Sequence, residues 1–169
     1  YPSTDQYSGI IFGLTRTALL VSPHEPEIAN LTRLMSQQIV EHFLKTNWML
    51  ADAGGRTTGQ QFRIGVENAG YWVLALVKMT QVANPDSERY EKLYYRYSRG
   101  REYAMDLSPP IPLKVFNLFN YYSLNINHLI SFNLFESETN PTLKRLYERA
   151  FLRHFYSVTK NSRNAWFNM

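Results

Sequence analysis

Two groups of polar side chains in this sequence have the types that acid–base chemistry needs. The first is a set of carboxylates: Asp5, Asp52, Glu67 and Asp106. Glycoside hydrolysis needs two carboxylates roughly 5–9.5 Å apart across a sugar. The second group is Asn120, Tyr121, His128 and Arg163. An Asn or Arg that neutralises a carboxylate, beside a Tyr or His that moves a proton, suits uronate elimination. Tyr7, Arg56, Asn68 and Tyr103 add ring faces and hydrogen-bonding groups for a ligand. The candidate catalytic residues are therefore Asp5, Asp52, Glu67 and His128. The candidate ligand-binding residues are Tyr7, Arg56, Asn68, Tyr103, Asn120, Tyr121 and Arg163. Plainer roles are open to some of them. Asp5 also fits a helix cap, Glu67 fits the first turn of a helix, and a lone His on an apolar helix is commonly a core residue.

Helices must position these groups. Residues 7–21 read as a helix that is apolar on most sides, hence buried. Residues 26–46 read as an amphipathic helix with Ile28, Leu31, Leu34, Met35, Ile39, Phe43 and Leu44 on its apolar face. Residues 47–66 lose the period, carry Gly54-Gly55 and Gly59, and read as a long loop. Further helices are expected over 67–83, 86–100, 113–137 and 141–160. In the fourth, Tyr90, Leu93, Tyr94 and Tyr97 face inward. In the sixth, Leu143, Leu146, Tyr147, Ala150, Phe151 and Phe155 do so. Residues 101–112 end in Ser-Pro-Pro-Ile-Pro, a stiff non-helical connection. Residues 161–169 look like the opening of a seventh helix.

The prolines of Glu25-Pro26, Asn84-Pro85 and Asn140-Pro141 recur roughly 59 and 56 residues apart, each expected to open the second helix of a pair. The odd helices are apolar around their circumference, and the even ones have one charged face. Buried inner helices paired with half-exposed outer ones describe an all-α fold: three antiparallel helical hairpins in an arc, half of an (α/α) toroid or a short α-solenoid. Residues 1–169 are expected to form a single all-α domain. Three hairpins and a stub suggest a fragment of a larger toroid, or one completed by a partner chain or homo-oligomer. Short joints within pairs alternate with long connections between them. Antiparallel packing would gather the long connections, and the candidate residues, at one end, where inner-helix N-termini favour anions.

The aromatic-lined hairpin plan resembles the (α/α) barrels of glycoside hydrolases and polysaccharide lyases. Asp5-Gln6-Tyr7-Ser8-Gly9-Ile10-Ile11-Phe12-Gly13 and Ser162-Arg163-Asn164-Ala165-Trp166-Phe167-Asn168 look like family signatures. The resemblance implies a glycan or another polyhydroxylated ligand. The alternative is a non-catalytic scaffold or interaction subunit that packs its concave face on a partner chain.

Composition narrows the field. The hydrophobic fraction is 44% and the charged fraction 19%, enough for a packed core. The net charge of +4 comes from scattered Lys and Arg, without the basic face of a nucleic-acid module. There is no Cys, which excludes disulfides and thiolate chemistry. His24, His42, His128 and His154 share no metal-ligand spacing, and no cofactor motif is present. Gly54-Gly55-Arg56-Thr57-Thr58-Gly59 lacks the Gly-Lys-Ser/Thr ending of a phosphate loop. No apolar run approaches the roughly 20 residues of a membrane span. A secreted or periplasmic setting is the expectation.

Overall fold

The computed structural model describes residues 4–52, 54–62, 69–99 and 121–152. It is mostly helical. Among the described residues, six helices and a small hairpin run in the order α1 (Thr4–Leu20), α2 (Pro26–Lys45), β1 (Met49–Ala51), β2 (Thr57–Gln61), α3 (Ala69–Ala83), α4 (Glu88–Ser98), α5 (Tyr121–Ser137) and α6 (Pro141–Phe151).

α3 lies at the centre because its sequence offers no polar face. Every residue from Trp72 to Thr80 is buried, Lys78 included. The helix packs against α1, α2, α4 and α5. α1 also packs on α5, so α1, α3 and α5 touch pairwise and close a triangle. The even helices lie outside it, α2 on α1 and α3, α4 on α3, and α6 on α5. The inner–outer division expected from the sequence is present. An open arc or toroid is not shown.

α4 and α6 bury the described part of the stripes that their periodicity predicts, Phe155 lying outside the described residues. Tyr90, Tyr94 and Ser98 face inward on α4, with Leu93 and Tyr97 packed beside them. Leu146, Tyr147 and Ala150 face inward on α6. α1 departs from expectation. It buries Ser8, Ile11 and Thr15 but exposes Gly9, Ile10, Gly13, Leu19 and Leu20.

α2 departs further. Its buried residues are Thr32, Ser36, Val40 and Phe43, while Ile28, Leu31, Leu34 and Met35 face water. A polar seam with α3 explains the rotation. Thr80 Oγ1 donates to the Ser36 carbonyl at 3.1 Å. Asn84 Nδ2 donates to the Thr80 carbonyl at 2.8 Å and to Ser36 Oγ at 3.3 Å. Its Oδ1 accepts from Gln37 Nε2 at 2.6 Å. Asn84 is buried, and leaving its amide unpaired would cost about 1–3 kcal/mol. Turning Ser36 and Gln37 inward meets that need and sends the larger aliphatic residues out.

The three Pro joints are not equivalent. Pro26 and Pro141 stand in the first turns of α2 and α6, where no hydrogen bond is lost. Pro85 does not open α4. It follows Asn84 in a turn closed by the Ser87 N–H on the Asn84 carbonyl at 3.1 Å, and Ser87 is the N-cap.

α2 stops through a Schellman motif. Asn47 takes the left-handed conformation at φ 53, and the Trp48 N–H donates to the Phe43 carbonyl at 2.7 Å. The Trp48 ring then stacks on Phe43 with centroids 6.1 Å apart, the apolar contact that accompanies this ending. The segment read as a loop continues as the antiparallel hairpin β1–β2. Its register shifts between Met49 and Ala51, and Gly59 at φ +79 supplies the backbone that such a bulge requires. Phe62, just beyond β2, packs into the core beside Trp72 and Phe43.

Candidate functional site

Of the sequence-predicted site residues that are described, Asp52 and Arg56 are brought together. Asp52 Oδ1 accepts the backbone N–H groups of Gly54 and Arg56, both at 2.9 Å. Its Oδ2 accepts from Arg56 Nε and pairs with Nη2, both at 3.0 Å. The carboxylate thus shapes the β1–β2 turn, and Arg56 completes it. Tyr7 is a packing ring, edge-on to Phe43 at 5.1 Å and Phe62 at 5.6 Å. Burial raises its phenol above the usual value. His128 is partly buried on α5, its ring edge-on to Phe151 at 4.5 Å. That burial lowers its pKa below 6.5. Asp5 lies in the first turn of α1 and Tyr121 opens α5, as the helix bounds place them. Glu67, Asn68, Tyr103, Asp106, Asn120 and Arg163 lie outside the described residues.

The densest polar cluster is one that the sequence reading passed over. Lys78 on α3 is 2% exposed, and Glu138, at the end of α5, is 3% exposed. Lys78 Nζ meets Glu138 Oε1 at 3.2 Å and sits 4.5 Å from the centroid of the Tyr94 ring. Glu138 Oε1 also accepts the backbone N–H groups of Thr139 at 2.9 Å and Asn140 at 2.8 Å. Glu138 Oε2 accepts from the Tyr94 hydroxyl at 2.5 Å, and that hydroxyl lies 2.8 Å from the Tyr147 hydroxyl. Burial pulls the Lys78 pKa below its usual value, against the opposing pull of Glu138. Burial, followed by Tyr147 and Glu138, pushes the Tyr94 phenol far up. Four elements meet here, and the groups hydrogen-bond to one another. Closed to water, the cluster ties α3, α4, α5 and α6 together. The signal for it was a single Lys inside the apolar run of α3. Its partner lies sixty positions on, where no local pattern points to it.

A second tie joins α1 to α5. Asn133 Nδ2 donates to Thr15 Oγ1 at 2.9 Å, and Arg16 lies between the rings of Phe12 and Phe132 at 5.3 and 5.2 Å. Arg16 Nη1 reaches Glu136 at 3.8 Å.

Among the described residues, these ties leave one broad feature without an internal role: the exposed side of α1 and α2. Leu31 is 55% exposed, Met35 49%, Leu34 46%, Ile28 37% and Leu20 64%, and Ile10 and Val21 are also exposed. On a wheel of 100° per residue, Leu31, Met35 and Ile28 lie on one flank of α2. Gln37 and Glu41 occupy the other flank. They reach Asn84 at 2.6 Å and Arg89 at 2.6 Å. The apolar flank therefore borders α1. On α1, Thr15 and Arg16 turn towards α5, which leaves Ile10 on the flank away from α5. α1 packs on α2, so the two exposed faces adjoin. Gly13 opens the surface beside Ile10, since a Cβ there would meet nothing within 4 Å.

Among the described residues no helix is long and apolar enough to cross a membrane. Among the same residues no group of three or more His, Cys, Asp or Glu is placed to hold a metal ion. No protein-family model, curated protein or solved structure matches the chain.

Proposed function

We infer that this chain is an interaction module, a helical scaffold that presents the uncovered face of α1 and α2 to a protein partner. The orientation of α2 carries the reading: its Thr32 and Ser36 face the core while Ile28, Leu31, Leu34 and Met35 stand in water. Together with Ile10 on α1 they form an exposed aliphatic patch of the kind that marks an interaction surface. The described polar candidates support the same reading, because Asp52 and Arg56 satisfy each other and Tyr7 is part of the core packing.

A photo-crosslinking amino acid at Leu31, in the full chain expressed in its own cells, tests the proposal. The expected result is discrete protein adducts from Leu31, absent from the same probe at Lys92 on the exposed face of α4. Adducts no more frequent at Leu31 than at Lys92 would refute it.

A second reading is the glycan-handling toroid. It draws on the alternation of short joints with long connections, which would gather the N-termini of α1, α3 and α5 at one end. Saturable binding of an oligosaccharide on a glycan array is its test, and an array without binding counts against it.

A further inference from the structure

We propose that the occupant of the α1–α2 face is a second copy of this chain, docked through an antiparallel pair of α2 helices around a two-fold axis beside Met35. This rests on the docking reading above and names its partner.

The apolar seam is the first argument. The core of a protein interface is more apolar than its rim, and Ile28, Leu31 and Met35, all exposed, supply such a core on α2. The spacing is also that of a helix–helix seam. Ile28, Leu31, Met35, Gln38 and His42 follow one another at alternating steps of three and four residues.

Charge is the second argument. Glu27 and Lys45 are both exposed and lie eighteen residues apart (45 minus 27) on α2. At 100° per residue that is about five full turns, so both stand on one edge of the seam, some 27 Å apart. A two-fold axis perpendicular to an antiparallel pair keeps like edges together and exchanges the ends. Glu27 of each copy then faces Lys45 of the other, twice per dimer. The midpoint of the two falls next to Met35, within the seam. A parallel two-fold pair would instead put the two Glu27–Lys45 edges on opposite sides of the seam, where Glu27 of one copy and Lys45 of the other do not meet. The apolar seam and its charged edge therefore select the same arrangement. On the opposite edge the exposed Ile10 and Gly13 of the two α1 helices come together, where Gly13 leaves room for close approach.

Sedimentation velocity of the full chain across the micromolar range tests this. The wild type should be a dimer. Leu31→Glu should be a folded monomer, since Leu31 makes little core contact, and circular dichroism checks that it folds. Glu27→Lys and Lys45→Glu should each weaken dimerisation about tenfold, and the double reversal should restore it. Because the chain has no Cys, Met35→Cys gives a unique thiol. Under mild oxidation it should form a covalent dimer, whereas Lys92→Cys should not. A dimer indifferent to Leu31→Glu and to both charge reversals overturns the α2 pairing. A wild-type monomer whose Leu31 probe still crosslinks to another protein overturns self-association and leaves the docking reading standing. A monomer with no Leu31 adducts overturns both.

Discussion

Removing either member of the Lys78–Glu138 pair should destabilise the fold, and by unequal amounts. Lys78→Met keeps the length and apolar stem of the side chain and takes one donor from the carboxylate. Three donors remain: the N–H groups of Thr139 and Asn140 at 2.9 and 2.8 Å and the Tyr94 hydroxyl at 2.5 Å. A hydrogen bond to a charged group contributes about 1.5–3 kcal/mol, so the expected loss is about 2 kcal/mol. Glu138→Leu does more damage. It leaves an ammonium that is 2% exposed, with the face of Tyr94 as its remaining charge contact, and it strips two backbone N–H groups of their acceptor. Breaking a buried pair in this way costs about 3–5 kcal/mol, and the orphaned N–H groups place this variant at the upper end. Loss of the Lys78 proton, which burial already favours, caps the penalty. Against a typical total of about 5–15 kcal/mol, Glu138→Leu should approach global unfolding. Urea titrations at neutral pH, followed by far-ultraviolet circular dichroism, give both values. The double variant should cost less than the sum of the singles by at least about 1 kcal/mol, because an apolar pair leaves no buried charge. Equal losses in the two single variants, or strict additivity in the double, would refute the assignment of Glu138 as the centre of the cluster.

Other outcomes follow from single residues. The pKa of His128 is lowered by burial, so its contribution to stability is fully present above pH 6.5 and is lost as pH falls through the lowered value. Urea midpoints of the wild type should therefore fall more steeply from pH 7 to about 5 than those of His128→Gln, and parallel curves would contradict this. Asn140 caps α6 by accepting from the N–H groups of Thr142 at 2.9 Å and Leu143 at 3.2 Å. Asn140→Ala should lose about 1 kcal/mol in the same titration. Asn47 holds φ 53 at the end of α2, so Asn47→Val should cost about 1–2 kcal/mol while Asn47→Gly should be neutral or stabilising. A thermal melt of the two variants separates the cases.

How far the sequence could be read depended on the range of the interaction concerned. α3, α4 and α6 were legible with their inward faces, because their apolar residues recur at helical spacing and little else competes for the core. The hairpin at 49–61 was less so. Gly54-Gly55 between Met49-Leu50-Ala51 and Thr57-Thr58 is a turn signal, but strands this short lack a period. Asp52 was read as a catalytic carboxylate and Arg56 as a ligand-binding residue, and the pairing of the two within their own turn was not foreseen. Pro85 looked like Pro26 and Pro141, yet the demands of Asn84 and Ser87 placed it in a turn before the helix.

The sequence by itself determined that this is a mostly helical protein, roughly where its described helices lie, and that α3 is buried. Those are consequences of backbone propensity and of periodicity within twenty residues. Tertiary structure decided the rest. It rotated α2 because the buried amide of Asn84 required Ser36 and Gln37, a condition set by a residue nearly fifty positions away. It paired Lys78 with Glu138, closed α1, α3 and α5 into a triangle, and left an aliphatic stripe in water. Periodicity states that a helix has an apolar side. Which side meets the core is settled by the hydrogen bonds that neighbouring helices cannot leave unmade.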